Sequence, residues 1–313
     1  MYKQIYSMSK VKIAVINWWP ENDKNVKNWF VEYMKANFDN IECVNAGDAS
    51  TDILFASVFG DKNRVESIPA RVKVLFCGES WNNKTYSAYT PEYIEKQYDL
   101  ILHFDETDED RKRQRFPLWL LYVPKYNMDD VNDNIITYVN EMRNINMNKK
   151  KKVFGTCIAR HDPTGMRGNI CNELNKYGKM EYVGRWRNGD KPKIGPLRSD
   201  KLKYLSEVTY SVCAESHRDS HYCSEKIFEA FMGGTIPIYW SKDILAEESI
   251  LKREGYCLSD ALEIKEMMKN NKKYKIDDIF TENAYNILKC DYYDELKSNL
   301  IKLLLKNGYK HAL

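Results

Sequence analysis

Apolar residues along this chain follow two rhythms. Short unbroken runs, VKIAVINWW (11–19), IECVNA (41–46), DILFASVFG (52–60), RVKVLFCGE (71–79) and YDLILHFD (98–105), have the length and composition of buried strands. Elsewhere the apolar positions return every three or four residues. NVKNWFVEYMKANF (25–38) places Val26, Phe30, Val31 and Met34 on one helical face, and 128–145 reads as a helix closing the first half. The polar basic run 146–152 follows as a linker. The second half repeats the alternation, with strands at 151–159, 180–185, 208–216 and 235–240 and helices at 167–178, 200–207 and 224–234. A last helix at 293–308 carries a stripe of Leu296, Leu300, Leu303 and Leu304 that fits packing on its own domain or on a partner, so oligomeric state stays open.

Strand–helix alternation of this kind requires right-handed crossovers and a mainly parallel sheet. The pattern therefore predicts an α/β protein of two doubly wound, Rossmann-like domains facing a cleft. Residues 1–148 form the first, and 149–313, terminal helices included, the second. In such sheets ligands bind beyond the carboxyl ends of strands, where the strand order reverses. Chemistry is sought there.

Composition narrows the field. With 48 Lys and Arg against 45 Asp and Glu the net charge is only +3, too little for an extended nucleic-acid footprint but compatible with a local basic pocket. The eight cysteines form no C-x-x-C pair and several lie in apolar runs, which fits free thiols in a reducing compartment. The first twenty residues lack the apolar core of a signal peptide, and no apolar stretch reaches membrane-spanning length, so a soluble, cytoplasmic protein is expected. The 22 Tyr and 7 Trp suit sugar stacking, though such usage also arises from genome composition. Trp18, Trp19, Trp81 and Tyr86, in or beside the loops 17–24, 81–91 and 104–116, are either sugar-stacking or core aromatics.

The stretch HYCSEKIFEAFMGGTIPIYW (221–240) carries the most chemistry. Strand 208–216 ends in Glu215 and Ser216, and a helix opens near Ser224, a candidate N-cap. A helix start attracts anions, and Lys226 in its first turn adds a full positive charge. Glu225 beside it is able to accept hydrogen bonds from ribose hydroxyls. The pair reads either as a nucleotide site or as an ordinary capped surface helix. In CIARHDPTGMRGNI, Arg160 and Arg167 flank a loop between strand and helix; their forked guanidinium groups suit phosphate oxygens, and a solvated loop is the alternative. Glu79 ends an apolar strand in LFCGESW, a reasonable position for a general base or for a turn acid. No G-x-G-x-x-G or Walker A pattern is present. Cys213, His217, His221 and Cys223 lack the tight paired spacing of a zinc site.

AESHRDSHYCSEKIFEAFMGGTIPIYW resembles the signature of the glycosyltransferase family 10 α-1,3/4-fucosyltransferases, F-E-N, a loop, Y-x-T-E-K, an apolar helix, then G-T-V-P-V. Glu215 and Ser216 stand for Glu-Asn, Tyr222 for the tyrosine, Ser224, Glu225 and Lys226 for Thr-Glu-Lys, and 234–238 for the closing strand. CGES makes Glu79 the match for the family's proposed base, and the segment 157–185 makes Arg167 the likeliest donor-phosphate arginine, with Arg160 nearby. Ser216 in place of Asn and Ala214 in place of an aromatic depart from the pattern. The resemblance spans roughly residues 70–245 and implies a GT-B fold, an acceptor-binding first domain and a GDP-sugar-binding second one. It also implies inverting transfer of L-fucose from GDP-fucose to a GlcNAc or glucose hydroxyl of an oligosaccharide. It implies no obligatory metal, a divalent cation being at most stimulatory, and no nucleic-acid partner. The competing expectations are a GT-B transferase for another nucleotide sugar and a non-catalytic nucleotide- or glycan-binding module.

Overall fold

The computed structural model describes residues 10–18, 29–46, 50–81, 86–105, 107–108, 110, 112–122, 141–188, 193–195, 198–217, 219, 221–241 and 292–309. Contacts divide the chain into two units, Met1–Val131 with Asp291–Leu313, and Asn132–Cys290.

In the first unit six strands, β1 Val11–Ile16, β2 Ile41–Cys43, β3 Ile53–Ala56, β4 Val72–Phe76, β5 Leu100–His103 and β6 Arg113–Arg115, form a sheet ordered β2-β1-β3-β4-β5-β6. Every pairing is parallel, with Ile13 opposite Cys43 on one side and Ile53 on the other. Parallel strands are covered on both faces, which is why β3 and β5 are continuously apolar up to His103 and fully buried. Helix α1, Trp29–Asn37, buries Trp29, Phe30, Val31, Tyr33 and Met34. Phe30 stacks on Phe55 at 5.0 Å and Trp18 on Phe76 at 5.4 Å, so Trp18 is a core aromatic. Trp19 lies outside the described residues. Two short helices follow β3 and β4. The Asp61 carboxylate accepts from Asn63 N at the start of α2, Lys62–Ser67, and Thr90 Oγ1 accepts from Tyr93 N at the start of α3, Pro91–Gln97.

The second unit has a sheet of β7 Val153–Cys157, β8 Met180–Tyr182, β9 Val208–Ala214 and β10 Ile236–Trp240, ordered β10-β9-β7-β8 and again all parallel. Its order reverses between β7 and β9. Pro237 has no N–H to give, and β10 stands at an edge of the described sheet, where that costs least. Helices α4 Met166–Leu174, α5 Arg198–Leu205 and α6 Lys226–Met232 accompany these strands. All of Ile227–Met232 is buried, as the run IFEAFM requires.

The terminal helix α7, Tyr292–Lys306, groups with the first unit rather than the second. Leu296, Leu300 and Leu304 are fully buried there, and Asn299 Nδ2 donates to Gln114 Oε1 of β6 at 3.0 Å. Tyr309 hydroxyl also reaches Asp52. The stripe therefore packs on its own chain, and the units divide at 131/132 and again at 290/291 instead of once at 148/149. Helix 128–145 is described only from residue 141; residues 141–147 are helical, so the expected linker begins inside that helix. The run 11–19 stops being strand at Ile16 because Asn17 turns to φ 54°, its Nδ2 donating to Asp61 O at 2.9 Å.

Candidate active site

At the switch point of the second sheet, the chain leaves β9 at Ala214 and meets Glu215, which is fully buried. Its carboxylate organises the turn into α6. It accepts from Ser224 N at 2.8 Å and from the Ser224 hydroxyl at 2.7 Å, and Lys226 Nζ donates to it at 3.3 Å. Lys226 Nζ also donates to Ser224 Oγ at 2.7 Å. Two of the three ammonium donors thus hold Lys226 in place, and the side chain keeps 19 % of its exposure. Ser224 is not the N-cap expected of it. The cap position is Glu225, in helical conformation and without a side-chain cap bond, because the buried Glu215 carboxylate has taken the Ser224 hydroxyl. Ser216 Oγ lies 3.5 Å from the Tyr222 hydroxyl and 3.2 Å from His217 Nδ1, while Tyr222 O accepts from Tyr239 and Ser241.

Charge compensation extends beneath this turn. Lys201 of α5 lies 3.9 Å from Glu225 Oε1 and contacts Glu229 Oε2, and Arg198 Nε is 3.4 Å from Glu229 Oε1. Burial raises the Glu229 pKa against the pull of Lys201. Burial works against Lys226 as well, but Glu215 and Glu225 outweigh it and hold the ammonium more firmly protonated than a free lysine. Glu225 is pushed up by burial but more strongly down by Lys226 and Lys201, so its carboxyl titrates below the usual range.

Across the same switch point β7 runs into Arg160, His161 and Asp162. Gly165 precedes α4 with φ 73°, a conformation glycine adopts freely. The Asp162 carboxylate reaches over it to accept from Arg167 N at 3.2 Å and Gly168 N at 2.8 Å, so this helix start already holds an anion. Arg167 is nearly fully buried. Its Nε and one terminal nitrogen donate to Ala214 O at 3.1 and 3.0 Å and the other nitrogen to His161 O, which ties the end of β9 to the loop after β7. Arg160 is exposed and lines a pocket of about 380 Å³ with Ala159, Gly184, Arg185 and Gly195. Gly184 lets two loops touch there: a Cβ on it would stand 2.3 Å from Ala159 O.

These groups create one basic locality. His161 is held below its ordinary pKa by burial and then by Arg167, Arg160, His217 and Lys226. A neutral imidazole amid four basic neighbours marks a place where an anion gains several partners at once. The structure thus gathers Arg160, Arg167, Glu215, Ser216, Tyr222, Ser224, Glu225 and Lys226 at the ends of β7 and β9, but with divided work. Glu215, Ser224 and Arg167 bind the protein to itself, whereas Lys226 and Arg160 keep exposed charge. Sequence reasoning missed His161, Arg185 and Lys201. A basic residue within four positions of a strand end was the available signal for the first two; Lys201 gave none, being one of two lysines on a polar helix.

Glu79 belongs to the first unit, two residues beyond the buried Cys77 that follows β4, and is half-buried. Its carbonyl accepts from Cys77 Sγ at 3.3 Å and lies 3.4 Å from His103 Nε2. His103 is buried between Trp81 and Phe104, with Nδ1 2.8 Å from Asp105 Oδ2. Burial depresses its pKa below 6.5, more than Asp105 raises it. A folded state that resists taking a proton loses stability as pH falls below 6.5, because the unfolded chain is protonated first. Denaturation midpoints should therefore drop below that pH, by at most about 1.4 kcal/mol per pH unit for one proton, and His103→Gln should flatten the slope. An unchanged slope in the variant would remove His103 as its source.

Among the described residues no helix is long and apolar enough to cross a membrane. No family model matches the chain. It is 22 % identical over 327 aligned residues to an α-(1,3)-fucosyltransferase of Helicobacter pylori, an alignment covering 95 % of this chain and 65 % of that protein. Among solved structures, one of an α1,3-fucosyltransferase superposes with a TM-score of 0.62 at 17 % identity, covering 99 % of this chain and 94 % of the other. The structure of an α1,3-fucosyltransferase with GDP-fucose gives 0.59 at 18 % identity, covering 97 % and 92 %. That with GDP gives 0.60 at 19 %, covering 100 % and 95 %. The fold is thus GT-B, that of the α1,3-fucosyltransferases, and a curated member of that family is homologous to this chain over nearly its whole length.

Proposed function

We propose that this protein is an inverting glycosyltransferase that moves L-fucose from GDP-fucose to a GlcNAc or glucose hydroxyl of an oligosaccharide. The observation that carries the reading is the basic locality of Arg160, Arg167, His217 and Lys226 around His161, at the switch point of the second sheet. A nucleoside diphosphate carries its charge on the group that would sit among Arg160, Arg167 and Lys226, and Glu225 offers ribose hydroxyls an acceptor. The family resemblance of 215–226 and the relatives solved with GDP and GDP-fucose support the donor.

In this reading the first unit binds the acceptor and Glu79 takes its hydroxyl proton. The acceptor oxygen then bonds to the fucose anomeric carbon as the bond from that carbon to the phosphate oxygen breaks, inverting the centre. GDP leaves with the electron pair. Lys226 and the exposed Arg160 stabilise the charge that develops on it, and Arg167 adds its field from behind. A divalent cation is at most stimulatory here, since fixed cations do the neutralising.

Calorimetric titration of the full chain with GDP, GDP-fucose, GDP-mannose and UDP-sugars tests the donor. Selective binding of GDP and GDP-fucose, followed by fucosyl transfer to an oligosaccharide, is the expected result. Preference for another nucleotide sugar would make this a different GT-B transferase, and GDP binding without transfer to any acceptor would make it a binding module.

A further inference from the structure

Helices α5 and α6 approach closely at one end, where a Cβ on Gly233 would stand 2.6 Å from Leu205 Cβ and the Thr235 hydroxyl donates to Leu205 O. At the other end they meet through charge. Arg198 and Lys201, one turn apart on α5, face Glu225 and Glu229, one turn apart at the start of α6. The Glu229 side chain is only 2 % exposed. Two carboxylates at this helical spacing repel, and burial leaves the repulsion largely unscreened by salt. Buried ion pairs are commonly replaceable by apolar side chains at no cost in stability, so stability alone does not account for such a set.

The contacts run in an order that ends at the candidate site. Glu229 Oε2 contacts Lys201 Nζ, and Glu229 Oε1 lies 3.4 Å from Arg198 Nε, so the buried carboxylate pins the lysine from within the protein. Lys201 Nζ then stands 3.9 Å from Glu225 Oε1. Glu225 makes no cap bond to its own helix, and Lys226 beside it already gives two donors to Ser224 and Glu215. Lys201 is therefore the cation across the helix seam that sets where the Glu225 carboxylate lies. The helix that carries Lys201 is fixed against the donor side too: Gly195, which lines the pocket with Arg160, leaves no room for a Cβ against Asp200 Oδ2.

We infer that Lys201, held by Glu229 and Arg198, is a positioning residue for the nucleotide: it fixes the Glu225 carboxylate in the direction from which the ribose hydroxyls donate. The inference rests on the donor reading above, in which Glu225 meets the ribose. The titration directions agree with it. Burial raises Glu225, but Lys226 and then Lys201 draw its carboxyl below the usual range; burial lowers Lys201, but Glu229 and then Glu225 keep it more firmly protonated than a free lysine. An ionised acceptor already held in place binds a hydroxyl more tightly than a mobile one, because ordering it costs nothing further.

Calorimetry of GDP and 2′,3′-dideoxy-GDP on the full chain separates the ribose hydroxyls from the diphosphate. The wild type should prefer GDP by about tenfold, as hydrogen bonds to a charged acceptor allow. Lys201→Met should bring that ratio close to one, whatever loss both nucleotides share. A lysine that only joined two helices would weaken both alike and leave the ratio untouched. Lys201→Arg keeps a charge whose fork is able to face both carboxylates, and should retain most of the preference. Lys201→Met leaves Glu229 buried without its partner; Lys201→Met/Glu229→Gln removes both charges together, protects folding and carries the same expectation. A tenfold preference that persists in either folded variant overturns the positioning role and leaves the ribose on Glu225. A ratio near one in the wild type overturns the ribose role of Glu225 and this inference with it. Failure of the folded wild type to bind either nucleotide overturns the donor reading itself.

Discussion

Glu79→Gln should lower kcat by about 10³-fold, within the range that a positioned general base supplies, and leave GDP-fucose binding intact. The substitution keeps the size of the side chain and removes its capacity to take a proton. The local backbone should survive it, since Cys77 Sγ and His103 Nε2 both meet the main-chain carbonyl of residue 79 and not its carboxylate. Gly78 is threaded so closely that a Cβ would stand 2.8 Å from Leu118 Cδ1, so the strand end has little freedom to move the side chain elsewhere. Donor affinity by calorimetry, acceptor KM and kcat together separate the cases. A drop in kcat with both binding parameters kept assigns the proton transfer to Glu79. A raised acceptor KM with kcat kept would make it a binding residue, and full turnover would sink the assignment.

Much of this architecture is legible in the sequence because parallel strands buried on both faces must be continuously apolar. Runs such as DILFASVFG and RVKVLFCGE leave few other readings, and β3 and β4 lie inside them. What escapes notice is structure made by distant residues. RQR (113–115) has no strand signature, and it becomes β6 by pairing its backbone with β5, with Gln114 covered by α7 from the far end of the chain. The same long-range packing hid the domain assignment of α7, since an apolar stripe states that something is covered but not by what.

The candidate site divides in the same way. Spacing around Glu225 and Lys226 exposed the charged turn, but not the buried Glu215 that draws Ser224 away from capping α6. Arg167 illustrates the limit of residue-type reasoning. A guanidinium near a strand end suits phosphate, yet it suits two strand-end carbonyls equally well, and the nearly complete burial of Arg167 puts three of its N–H groups on main-chain oxygens. Arg160, exposed beside a pocket, was indistinguishable from it in sequence.

Lys226→Met should destabilise the second unit by about 3–5 kcal/mol and weaken GDP binding, the largest combined loss expected of one substitution at this site. Methionine approximates the length of the stem and removes the charge, leaving Glu215 fully buried without the ammonium 3.3 Å away and Glu225 dependent on Lys201 at 3.9 Å. The sign with pH follows from the two shifted groups. Lys226 is raised above 10.5 in the folded protein, so its contribution is complete below that value and is lost as pH climbs through the folded one. Glu225 is depressed below 4.5, so its contribution is complete above that value and is lost as pH falls through the folded one. The stability gap between wild type and variant should therefore be flat between pH 4.5 and 10.5 and close outside it. Lys226→Arg separates charge from geometry: it should recover most of the stability while GDP affinity stays reduced, because the planar fork cannot repeat the paired bonds to Ser224 and Glu215 and still reach the ligand. Denaturant unfolding across pH and GDP calorimetry on both variants give the answer. Unaltered GDP affinity in a folded Lys226→Met would confine this lysine to holding the turn and leave the diphosphate to Arg160.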